Sequence, residues 1–167
     1  MSFDEAVVDL LNRCPGARGA AIVDPDGPGG EPISVFESGA ILQYLGNKTG
    51  QFYPAEQRAR SAVEEWLFWQ VGNLGPMAGQ ISHFVNYAPG EEAYSKKRYA
   101  NEYNRCIGVL ERRLMGRDWL AGDAYSIADM ASWPWVLIAL VVSEWIWTLG
   151  NNSIRDLLPL LIVAVFD

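Results

Sequence analysis

The chain has 167 residues, half of them apolar, and a net charge of -7 from 13 basic and 20 acidic side chains. That length and apolar content suffice for one domain, or one domain and a fragment, around a sizeable core, and they exclude a disordered chain. The acidic balance disfavours nucleic acid and anionic membrane surfaces as partners, and two cysteines without CxxC or Cys/His spacing indicate neither a disulfide framework nor a zinc site.

Residues 4 to 12 set Val7, Val8, Leu10 and Leu11 among acids, a short amphipathic helix that stops at Pro15-Gly16. Asp4, Glu5 and Asp9 are incompatible with a signal peptide, so a reducing cytoplasm is the expected location. Ala20-Ala21-Ile22-Val23 reads as a brief strand and Pro32 to Phe36 as a second, joined by the turn-forming run Asp24-Pro25-Asp26-Gly27-Pro28-Gly29-Gly30. Directly after this hairpin, Glu37 and Ser38 stand where an apolar helix begins. There Ser38 can offer its hydroxyl and N-H to a carboxylate while Glu37 accepts from an ammonium, which would suit an amino-acid zwitterion; the alternative is an ordinary helix cap. Two strands are few for an independent layer.

From Pro54 the composition turns to long helices, with Pro54-Ala55-Glu56 expected in a first helical turn. Val63, Trp66, Leu67, Gln70, Val71 and Leu74 recur at helical spacing in one helix, expected to kink at Pro76 and continue toward Tyr87. After Ala88-Pro89-Gly90 a charged helix carries Tyr99, Tyr103, Ile107, Leu110 and Leu114 on one face and ends before Gly116. Ser126 with Asp129 three residues on is a capping box, with Tyr125 and Met130 as its staple, opening an apolar helix from Met130 to about Val142. Trp133 to Leu149 and Leu157 to Phe166 are apolar, but Pro134 and Glu144 interrupt the first and the second is too short to span a bilayer, so buried helix is favoured over membrane. Seven Trp and seven Tyr suit a helical core or an aromatic groove.

This order of parts resembles the glutathione transferase family: a thioredoxin-like layer whose last helix starts with Glu-Ser, then a helical domain whose central helix opens with Ser-Ile-Ala-Asp. Val35-Phe36-Glu37-Ser38-Gly39-Ala40-Ile41, Trp66-Leu67-Phe68-Trp69-Gln70-Val71-Gly72, Leu74-Gly75-Pro76-Met77 and Asp129-Met130-Ala131-Ser132-Trp133-Pro134-Trp135 resemble the bacterial nu-type members, glutathione-dependent disulfide-bond oxidoreductases. The resemblance runs from about Ile22 to Val136. It implies an incomplete thioredoxin-like α/β layer at 1-48 and an all-helical C-terminal domain at 54-167, a mostly helical α+β protein. It also implies glutathione as substrate, held at its γ-glutamyl end by Glu37 and Ser38 and approached by Arg105, with Arg98 the weaker candidate; a solvated, exposed Arg105 is the alternative. The implied reaction is thiol transfer or disulfide reduction on an electrophile or disulfide, in a homodimer and with no metal.

Departures from the pattern are equally specific. The family's activating Tyr, Ser, Cys, Thr or Asn follows a first strand that lies ahead of this chain's first residue, so no catalytic residue is assigned and a βα unit of roughly thirty residues is expected to be missing. Gly19-Ala20 stands where the family has Ile-Pro, and Leu137 to Asp167 departs from the family's last helices, as in a truncated or frame-shifted reading frame. Cys14-Pro15 reads as a helix end, Cys106 as core, and His83 carries no assigned chemistry. Phe68, Trp69 and Met77 are either core or the lining of a groove for the second substrate. The competing functional reading is a non-catalytic scaffold or an inactive fragment.

Overall fold

In the computed structural model of this chain, residues 20–141 are described; the expected helix at 4–12, Cys14, the Gly19 side of the Gly19-Ala20 bond and residues 142–167 lie outside them. The chain divides into two compact units between Tyr53 and Pro54.

The first unit is a hairpin with a helix. Strand β1 (Ala21–Asp24) pairs antiparallel with β2 (Ile33–Phe36) in the register Ala21↔Phe36 to Asp24↔Ile33. Cross-strand partners share a face, so Ile22, Asp24, Ile33 and Val35 lie on one side and Ala21, Val23, Ser34 and Phe36 on the other. A 3-10 turn, Pro28–Gly30, makes the tip, where Gly29 and Gly30 adopt φ of 77° and 79° that side chains resist. Helix α1 (Ser38–Thr49) packs on both strands and ends at Gly50 in the left-handed conformation. The hairpin is fastened to α1 at Asp24, whose Oδ2 accepts from Tyr44 Oη at 2.6 Å and from Lys48 Nζ, while Lys48 also reaches the carbonyl of Asp26 at 2.6 Å.

The second unit is helical. Helix α2 (Gln57–Trp69) leads through a π-helical turn at Gln70–Leu74 into α3 (Gly75–Asn86); α4 (Ala93–Leu114) and α5 (Ile127–Val141) follow. Two expectations are corrected here. Pro54 precedes α2 rather than opening it, because Glu56 is the cap: its two carboxylate oxygens accept from the N-H groups of Arg58 and Ala59 at 2.9 and 2.8 Å. The disturbance expected at Pro76 falls in the turn ahead of it. The backbone widens one turn earlier, at Gln70–Leu74, and Pro76 falls in the first turn of α3, where a missing N-H costs no hydrogen bond.

Helices α4 and α5 both pack on this pair. Leu74, Ala78, Ile81, Ala100, Tyr103, Ile107, Leu110 and Val136 form the buried core. Tyr103 is wholly buried, and its hydroxyl donates to the Trp135 carbonyl at 2.8 Å, giving the core's largest side chain a polar anchor. Helix α5 begins at Ile127, three residues before the expected Met130, because Ser126 already turns the chain. Asp129 Oδ2 accepts from Ser126 N at 2.9 Å and Ser126 Oγ at 2.8 Å, and Ala128 N donates back to Ser126 Oγ at 3.3 Å. The other oxygen of Asp129 accepts from Leu120 N at 2.8 Å, so the box also fixes the loop before it. Tyr125 meets the ring of Trp119 edge-on.

Candidate functional site

The junction between β2 and α1 has an unusual backbone. Glu37 adopts φ 72° and ψ 122°, a combination that a side chain with a Cβ resists at a cost of about 1–3 kcal/mol. The next residue is already helical, and the first ladder bond runs from Ile41 N to Glu37 O at 2.9 Å. The N-H groups of Ser38, Gly39 and Ala40 therefore lie ahead of the ladder at the positive end of the helix.

Glu37 occupies the cap position, yet its side chain makes no capping bond. Both Glu37 and Ser38 are exposed, while Gly39 beneath them is buried. The ordinary-cap alternative does not describe this carboxylate. The strained turn instead leaves an exposed carboxylate and an exposed hydroxyl on adjacent residues at the start of a helix whose first N-H groups lie ahead of the ladder. Chemically the pair can accept from an ammonium and donate to a carboxylate.

Arg105 belongs to the second unit, on α4, and is half-exposed. Its Nε donates to Glu102 Oε2 at 3.0 Å, which raises its pKa further, and its Nη2 lies 3.7 Å from the Cys106 sulfur. Arg98 is exposed on the same helix. Cys106 is fully buried, and desolvation pushes its thiol up, away from the reactive thiolate form. Among the apolar candidates, Trp69 and Met77 pack against the core whereas Phe68 is 61% exposed, so the three do not form one surface. His83 meets the ring of Phe84 edge-on, and Phe84 stacks on Tyr99. Among the described residues no group of His, Cys, Asp or Glu is arranged to hold a metal ion, and no helix is long and apolar enough to cross a membrane.

Two features had escaped the sequence. The strain at Glu37 has no local signature, since acids occur freely before helices. The Asp24, Tyr44 and Lys48 cluster did have one: Tyr44 and Lys48 are four apart on α1, hence on one face, with an acid at the end of the neighbouring strand. There the Lys48 and Tyr44 hydrogen bonds hold the Asp24 carboxyl down at about 2. Asp129 is shifted the opposite way, because burial raises it more than its hydrogen bonds lower it.

Residues 76–144 match the family described as Glutathione S-transferase, C-terminal domain. The chain is 52% identical over 129 residues to disulfide-bond oxidoreductase YfcG of Escherichia coli (strain K12), an alignment spanning 77% of this chain and 60% of that protein. Its fold is similar to a glutathione transferase from Burkholderia graminis crystallised with two glutathione molecules per subunit, with TM-score 0.80, 38% identity, and coverage of 92% of this chain and 69% of that one. A glutathione transferase from Pseudomonas putida with one glutathione disulfide per subunit gives TM-score 0.80 at 35% identity, covering 99% of this chain and 77% of that one.

Proposed function

Because this chain belongs to the glutathione transferase family, we propose that Glu37 and Ser38 hold the γ-glutamyl end of glutathione for thiol transfer or disulfide reduction. Glu37 accepts from the α-ammonium. Ser38 donates its hydroxyl to the α-carboxylate, which also faces the N-H groups opening α1. The observation that carries this reading is the backbone of Glu37, whose strained φ of 72° leaves its carboxylate out of the helix cap. Strain of this kind persists where something other than local structure requires it.

The reaction proposed is that of the disulfide-bond oxidoreductase it resembles. The glutathione thiolate attacks one sulfur of a substrate disulfide, a new S–S bond forms, and the old one breaks to release the other sulfur as a thiolate. A second glutathione thiolate then displaces the substrate sulfur, yielding glutathione disulfide and the reduced substrate. This chain's contribution is to bind and orient the first glutathione; no residue is assigned to activating its thiol.

Titration calorimetry with glutathione tests the binding step. The parent is expected to bind in the micromolar to millimolar range, and Glu37→Ala and Ser38→Ala to weaken binding about tenfold or more, the scale of one lost charge-assisted hydrogen bond. Absence of heat in the parent would favour the non-catalytic scaffold instead.

A further inference from the structure

Two tyrosines flank the connection between α3 and α4, and both stand in solvent: Tyr87 is 75% accessible and Tyr94 79%. Their electrostatic settings are opposite. Tyr87 ends α3, its N-H donating to the His83 carbonyl at 2.9 Å, so it lies at the negative end of a helix, with Glu91 four residues on. Tyr94 is the second residue of α4, at the positive end, with Lys97 and Arg98 three and four residues on. That spacing sets both cations one turn along from Tyr94, and long helical side chains lean back over the preceding turn, toward it. Both are exposed, and neither forms an ion pair among the described residues.

The approach to Tyr94 is acidic and loosely held. Glu91 and Glu92 are exposed and lie outside the helix. Glu92 enters α4 with φ 43° and ψ 40°, a strained left-handed conformation, and makes no capping bond. A first turn without a side-chain cap opens at little cost, and the buried positions of α4 begin only at Ala100. An enzyme that lays its substrate out extended can therefore take residues 91–94 without disturbing the core.

We propose that Tyr94 is a phosphorylation site for a tyrosine kinase that reads Glu91 and Glu92, and that Lys97 and Arg98 receive the phosphate. The phenolic oxygen attacks the γ-phosphorus of a nucleoside triphosphate. The bond from that phosphorus to the bridging oxygen breaks, the nucleoside diphosphate leaves, and the phenolic proton passes to the kinase's base. The product bears about two negative charges with a second ionisation near 6, which adjacent cations lower by favouring the dianion.

The full chain, incubated with magnesium ATP and a tyrosine-kinase catalytic domain that prefers acidic residues ahead of the tyrosine, tests both halves, with circular dichroism to verify folding of each variant. Peptide mapping should find transfer to Tyr94 about fivefold or more faster than to Tyr87, and Glu91→Gln with Glu92→Gln should slow it by a similar factor. Tyr94→Phe should remove that phosphate. Phosphorus NMR titration should place the second ionisation lower in the parent than in the double variant Lys97→Gln, Arg98→Gln. Transfer to Tyr87 at an equal or greater rate, or none to Tyr94, would overturn the site. An ionisation unchanged by removing the two cations would overturn their role as receivers. Neither result bears on the glutathione site at Glu37 and Ser38.

Discussion

Glu37 combines two demands that a substitution can separate. If its backbone is held in a costly conformation to present the carboxylate, Glu37→Gly should relieve strain and raise stability by about 1 kcal/mol while abolishing glutathione binding. A residue serving only as a cap would give no such opposed result; thermal unfolding alongside calorimetry distinguishes the two, and a variant that loses stability would contradict the strain account. Asp24 offers a second single-residue test. Its carboxyl lies at about 2 in the folded chain, below the roughly 3.9 of an unfolded aspartate, so the ionised form stabilises the fold. That contribution is complete above about pH 4 and disappears as pH falls toward 2. Asp24→Asn should therefore unfold at lower temperature than the parent at pH 7, with the gap closing between pH 4 and 2. A gap independent of pH would show that the carboxylate's charge is not what fastens the hairpin to α1.

At the level of elements, the π-helical turn decides how α2 joins α3, and two glycines test it. A Cβ at Gly75 would lie 2.8 Å from Gln70 Nε2 and 3.2 Å from the ring of Trp135, whereas one at Gly79 would meet nothing within 4 Å. Gly75→Ala should cost about 1–3 kcal/mol by overpacking the turn. Gly79→Ala, in open helix, should stabilise by up to about 1 kcal/mol. Chemical denaturation of both variants reads the contrast, and equal effects would mean that the turn is not tightly packed. Sequence reasoning succeeded where local chemistry is decisive: the glycine-rich hairpin tip, the apolar face of α4 and the capping box of Ser126 and Asp129 were all legible from punctuation and period. It did not give the π-helical turn, because proline marks where a helix is disturbed without saying how the backbone accommodates it. Here the accommodation is a wider turn ahead of Pro76, a choice made by packing around Gln70, Gly75 and Trp135.

For the molecule as a whole, two levels of information diverge. Motif order was enough to identify the family, because Glu37-Ser38 and Ser126 to Asp129 in sequence are far more specific together than apart. Side-chain availability was not legible. That Glu37 is uncapped, Phe68 solvent-facing and Arg105 engaged with Glu102 depends on backbone angles and neighbours that no spacing rule supplies. The chain spans 60% of the length of the E. coli oxidoreductase it matches, and the site proposed at Glu37 and Ser38 lies within that span. Calorimetric comparison of γ-glutamylcysteine with cysteinylglycine puts that site to the question, because each carries the thiol and only the first carries the γ-glutamyl group. Retained binding of γ-glutamylcysteine with at least tenfold weaker binding of cysteinylglycine is the predicted result; equal affinity for the two would contradict a γ-glutamyl site at this junction.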